Sequence, residues 1–143
     1  MIGMVLATHG DLGRALIGAM EMIVGSQPLV AALSLQVDDR LEDATSRLQQ
    51  ALDGADEGDG VLVLTDMLGG TPSNLCLALI GGPRPVEVVS GVNLPMLLKA
   101  VQVRRDSDLS GTAAHVKKVG RGSIIVATEV LASPAPSAEN PGS

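Results

Sequence analysis

Two short segments of this chain are apolar from end to end and then stop in polar residues. Residues 2–7 run into Thr8-His9-Gly10, and residues 61–64 run into Thr65 and Asp66. Runs this short fall below helical length, and with no polar face they read as strands covered on both sides, the pattern of a parallel sheet. A parallel sheet needs crossovers, and the intervening sequence provides them. Leu12, Ala15, Leu16, Ala19, Met20 and Ile23 recur at helical spacing, with Gly25 placed to end the helix. Asp39 and Glu42 resemble a capping box ahead of Leu41, Ala44, Leu48 and Leu52. Thr71 fits an N-cap with Pro72 at N1, opening a helix through Leu75, Cys76 and Leu79 that stops at Gly81-Gly82-Pro83. Asn93 caps a helix carrying Leu94, Met96, Leu97, Leu98 and Val101, with Arg104 and Arg105 near its C-terminal dipole. A weaker helical pattern covers residues 108–119.

Further strands are predicted at residues 29–37 and 86–89, and residues 123–130 form a β-rich fifth. The expectation is an open α/β sheet of four parallel strands plus the C-terminal strand, with helices on both faces. Strand order is not determined by the sequence. A flavodoxin-like order would set the ends of strands one and three side by side at the switch point, bringing His9 to Asp66. Residues 1–131 read as one domain, and the Pro-, Ser- and Ala-rich residues 132–143 as a disordered tail.

Composition narrows the function. The chain has no Phe, Tyr or Trp, so Leu, Val, Ile and Met build the core, and there is no aromatic platform on which a base or flavin could stack. A net charge of −6 opposes nucleic-acid binding. The single Cys76, set among leucines, reads as core and suits a reducing compartment. No leader or membrane-length apolar stretch is visible, so a cytoplasmic location without membrane insertion is expected. There is no G-x-G-x-x-G dinucleotide turn and no G-x-S-x-G nucleophile elbow. His115, beside two lysines, reads as a surface residue, and the acidic residues 53–59 as a solvated loop.

The polar clusters at the two strand ends carry the chemistry. A neutral imidazole is a nucleophile, and a carboxylate on its other nitrogen sets the tautomer and supports the charge that develops. His9 with Asp66 would accept a phosphoryl group if donors offset its charge. The candidates are the amides from Gly10 onward and the amides and hydroxyls around Gly70, Thr71 and Ser73. Neither a metal nor a cofactor is needed. Asp11 favours the helix start but would repel phosphate unless it turns outward, and Arg14 either compensates or is merely solvated. The bland alternatives are a hydrogen-bonded structural histidine, an Asp66 that caps its turn, and a plain strand-to-helix connection. A receiver-like module phosphorylated on Asp66 would need extra carboxylates at the end of strand one, where Thr8 and His9 stand.

In three stretches the chain resembles the IIA component of the mannose-family phosphoenolpyruvate-dependent sugar phosphotransferase system. They are Val5-Leu6-Ala7-Thr8-His9-Gly10, Leu64-Thr65-Asp66-Met67-Leu68-Gly69-Gly70-Thr71-Pro72-Ser73-Asn74, and Ser90-Gly91-Val92-Asn93-Leu94-Pro95-Met96-Leu97. The resemblance implies a flavodoxin-like phosphocarrier whose His9 takes a phosphoryl group from the phosphocarrier protein HPr and passes it to a IIB component. Asp66 would be the hydrogen-bonding partner, and Thr71 stands where the family often has a serine. It also implies a homodimer, with residues 123–130 as the strand exchanged between subunits. Since no IIB domain follows in this chain, the acceptor is expected on another polypeptide. A stand-alone regulatory IIA, a phosphoryl donor of the dihydroxyacetone-kinase type and a non-catalytic ligand-sensing module are the alternatives.

Overall fold

The structure, a computed structural model, describes residues 1–132. In chain order the elements are β1 (Gly3–His9), α1 (Leu12–Val24), β2 (Val30–Leu35), α2 (Leu41–Ala55), β3 (Val61–Thr65), α3 (Thr71–Leu77), β4 (Val86–Ser90), α4 (Leu94–Val103), α5 (Leu109–Gly122) and α6 (Ala127–Ala132). The four strands form one parallel sheet in the order β2-β1-β3-β4.

Period-two alternation sorts the strand residues between two cores. Val5, Ala7, Leu33, Leu35, Val61 and Val63 face α2 and α3, where Leu48, Leu52 and Cys76 are buried. Ile2, Met4, Leu6, Leu62 and Leu64 face α1, α4 and α5, meeting Met20, Leu97 and Val116. The central strands β1 and β3 are covered on both sides, which is why their sequences show no polar face. The result is the expected flavodoxin-like sheet with helices on both faces. Its switch point falls between β1 and β3, where a crevice opens beyond the strand ends.

Several local expectations are corrected. Residues 123–130 do not form a strand: Ser123 ends α5, residues 124–126 have no regular structure, and the remainder enters α6. Ile124, Ile125 and Val126 are exposed, and no sheet edge pairs with them. Their β-branched composition expresses a preference for a pleated, half-buried surface, which they do not occupy here. The tail expected to be disordered begins within α6 at Ala132, and its other residues lie outside the described residues.

Thr71 is the first residue of α3 rather than its cap, a place taken by Gly70 without a side-chain bond. The capping box at Asp39 is absent too. Arg40 occupies the N-cap of α2, and the Asp39 carboxylate instead accepts from the Gln36 amide and from Arg47. Strand β2 is shorter than predicted, ending at Leu35 and leaving Val37 fully exposed. The acidic loop is not merely solvated, since Arg84 bridges Asp53 and Asp56, and the N-terminal ammonium meets Glu57 and Asp59. Arg104 folds inward instead of lying over the α4 dipole, and its buried guanidinium donates to the Pro28 and Ile2 carbonyls. Cys76 is buried and His115 exposed, as read from the sequence.

Candidate active site

Parallel pairing sets Ala7 of β1 beside Thr65 of β3, so His9 and Asp66, just beyond them along each strand, emerge together into the crevice. The His9 ring Nδ1 lies 2.8 Å from Asp66 Oδ2, and the His9 backbone N–H donates to the same oxygen at 3.0 Å. Asp66 Oδ1 accepts from the Met67 amide at 3.0 Å. The carboxylate is mostly enclosed at 12% exposure, whereas the imidazole is 53% exposed.

Burial alone would raise the Asp66 pKa. The bonds from the His9 ring and amide outweigh it and hold the carboxyl below the ordinary aspartate value. Asp66 is therefore ionised at neutral pH and can only accept, so Nδ1 must carry the ring proton. The lone pair is thereby left on Nε2, the nitrogen away from Asp66.

The connections around the ring have definite causes. Gly10 turns the chain at φ +51°, a left-handed conformation suited to glycine, and its amide donates to the Leu35 carbonyl at 2.8 Å. That N–H is consequently engaged with β2 rather than turned to the cleft. Thr8, wholly buried, accepts from the Gly13 amide at 2.8 Å and so satisfies the first turn of α1 from within the strand. Asp11, though at the N-cap of α1, makes no capping bond, and both it and Arg14 are exposed.

A cleft of about 540 Å³ opens beside the ring, lined by His9, Gly10, Val37, Leu41, Thr71 and Pro72 among others. Leu12, Met67 and Leu68, close in sequence to the site residues, are exposed like Val37 and Leu41. Among the described residues, no group of three or more His, Cys, Asp or Glu comes together as a metal site.

Of the residues singled out from the sequence, His9, Gly10, Asp66, Gly70 and Thr71 thus gather at one place. Ser73 does not join them: it is fully buried in α3, outside the cleft lining, and its hydroxyl has no partner among the described residues. The sequence reading missed Thr8 as the cap of α1 and missed the wall contributed by the β2–α2 connection. The one available signal for the wall was the position of Val37 and Asp39 just beyond the end of a strand neighbouring β1.

Comparison with known proteins bears on this arrangement. The EIIA-man family, described as the PTS system fructose IIA component, matches residues 3–117. The chain belongs to this family. It is 30% identical over 131 residues to the fructose-specific EIIA component of Bacillus subtilis, covering 92% of this chain and 90% of that protein. It is 29% identical to the mannose-specific EIIAB component of Escherichia coli K12, of which it spans 45%. The crystal structure of phosphotransferase system component EIIA from Streptococcus agalactiae superposes with a TM-score of 0.82 at 28% identity, covering 90% of this chain and 99% of that one. As a member of EIIA-man, the chain is a phosphotransferase component, a phosphocarrier that passes phosphoryl groups from HPr to a IIB component in sugar uptake.

Proposed function

We propose that His9 is the residue that carries the phosphoryl group, through Nε2, with Asp66 as its orienting partner. The observation that carries this reading is the 2.8 Å bond between Nδ1 and Asp66, which leaves Nε2 as the nucleophilic nitrogen of a half-exposed ring. The Nε2 lone pair attacks the phosphorus held by phospho-HPr. As the new N–P bond forms, the donor's bond to phosphorus breaks, and its electron pair leaves with HPr, which then takes up a proton. The His9 ring becomes cationic while keeping its Nδ1 proton, and the Asp66 carboxylate stabilises that charge. Transfer to IIB runs the same steps in reverse on a new acceptor.

The phosphoryl oxygens are offset by donors at the two helix ends that open onto the cleft. With the Gly10 amide engaged and Ser73 buried, the donors are the Asp11 and Leu12 amides at the start of α1 and the amide and hydroxyl of Thr71. The exposed apolar residues Val37 and Leu41 in the cleft wall and Met67 and Leu68 next after Asp66 provide the surface on which HPr and IIB would dock in turn. The relatives' names specify fructose or mannose, and this chain carries the phosphoryl group without contacting either sugar. It acts in the cytoplasm, the setting that receiving phosphoryl groups from HPr implies, and as a homodimer, for which the exposed apolar residues between α5 and α6 and in α6 are the physical support.

The test is intact mass after incubation with phosphoenolpyruvate, enzyme I and HPr. The expected result is one added phosphoryl group, stable in base and lost in acid, that is absent from His9→Gln. A base-labile label, or labelling of the variant, would overturn the assignment to His9.

A further inference from the structure

Gly70 stands where no backbone requirement calls for glycine. Its φ of −85° and ψ of 172° are extended values open to any residue, unlike those of Gly69 next to it at φ +91°. What forbids a side chain is the imidazole. A Cβ built on Gly70 would lie 2.8 Å from His9 Cε1 and 3.2 Å from Nε2, closer than real Cβ atoms approach in the first case. The ring cannot retreat freely, because Nδ1 is held by Asp66 and the same carboxylate oxygen also binds the His9 amide. The backbone of Gly70 has little room to yield in its turn, since it opens α3 directly before the buried Pro72 and Ser73.

We infer that Gly70 is a positioning residue: by having no side chain it leaves the Cε1–Nε2 edge of the His9 ring the room to take the tilt in which Asp66 holds Nδ1. This rests on the reading of His9 as the phosphoryl carrier. The bond to Asp66 and the space left at Gly70 together set where Nε2 points before the donor arrives. Any side chain at Gly70 swings the ring or stretches the bond to Asp66. Misplacement of a nucleophile on that scale costs about ten- to a hundredfold in rate.

The experiment compares Gly70→Ala with wild type and with Gly18→Ala, a glycine on the exposed side of α1 where an added methyl meets nothing. Each protein is ¹⁵N-labelled at histidine in a His115→Gln background, so that His9 alone reports its tautomer by long-range proton–nitrogen correlation. The rate of phosphoryl transfer from phospho-HPr is measured by mass on the same samples. In wild type and Gly18→Ala the proton resides on Nδ1 and transfer is fast. In Gly70→Ala the ring loses that single tautomer, and transfer slows about ten- to a hundredfold with the amide spectrum still dispersed.

Four outcomes would overturn the inference: an unchanged tautomer at wild-type rate, slow transfer with an unchanged tautomer, an altered tautomer at wild-type rate, and a Gly70→Ala protein that fails to fold, since the backbone there admits alanine. If wild type itself takes no phosphoryl group, the carrier reading fails. The tautomer spectra would still decide whether Gly70 holds the ring.

Discussion

At the scale of single residues, Asp66 binds His9 twice through one oxygen and uses the other on its own turn. An amide in its place keeps the size but offers an N–H where the ring needs an acceptor. Asp66→Asn is therefore expected to slow phosphorylation by about 10- to 100-fold with the fold intact, measured as single-turnover transfer from phospho-HPr. The same residue predicts a pH dependence. Its carboxyl titrates below the ordinary aspartate value when folded, so the unfolded chain binds the proton more readily. The stability it contributes is present above the ordinary aspartate range and is lost as the pH falls through the depressed folded value. Urea midpoints across that acid range should show this loss in wild type and not in Asp66→Asn.

At the scale of elements, the site depends on how β1 hands over to α1. The helix start is satisfied by a buried hydroxyl from the preceding strand, Thr8, and not by the residue in the capping position, Asp11. This ties the first turn of α1 rigidly to the strand that carries His9. Thr8→Val preserves shape and removes the acceptor, leaving the Gly13 N–H unpaired in a buried place. The expected cost is about 1–3 kcal/mol in chemical denaturation, with a slower transfer rate as the strand end bearing His9 loosens. Equal stability of Thr8→Val and wild type would show that another acceptor takes over.

At the scale of the whole molecule, two features lie away from the site. Arg104 joins three distant segments, since its buried guanidinium donates to Pro28 and Ile2 carbonyls from the end of α4. Beyond α5, Ile124, Ile125, Val126, Val130 and Leu131 are all more than half exposed. So many large apolar residues in one short stretch favour burial against another copy. Sedimentation equilibrium is expected to give the mass of a dimer, and Ile125→Asp to shift the protein toward the monomer. A monomer for wild type at micromolar concentration would refute this association.

How much was legible in the sequence follows from the range of the forces involved. The apolar runs of β1 and β3 and the helical spacing between them prescribed a two-faced parallel sheet, because burying a strand on both sides requires apolar side chains at every position. The clusters at the strand ends named His9, Asp66, Gly70 and Thr71, since polar residues stopping an apolar run stand at its exposed end. Caps and neighbours were less legible. Thr71 and Asp39 carry capping side chains, yet Gly70 and Arg40 hold those places. Residues 123–130 have the composition of a strand, yet they pair with no strand of the sheet. Only the tertiary structure decided these points, together with the engagement of the Gly10 amide, the burial of Ser73 and the lack of room for a side chain between Gly70 and the ring. Each depends on which atoms from distant parts of the chain come within a few ångströms, whereas local composition records only what a residue prefers.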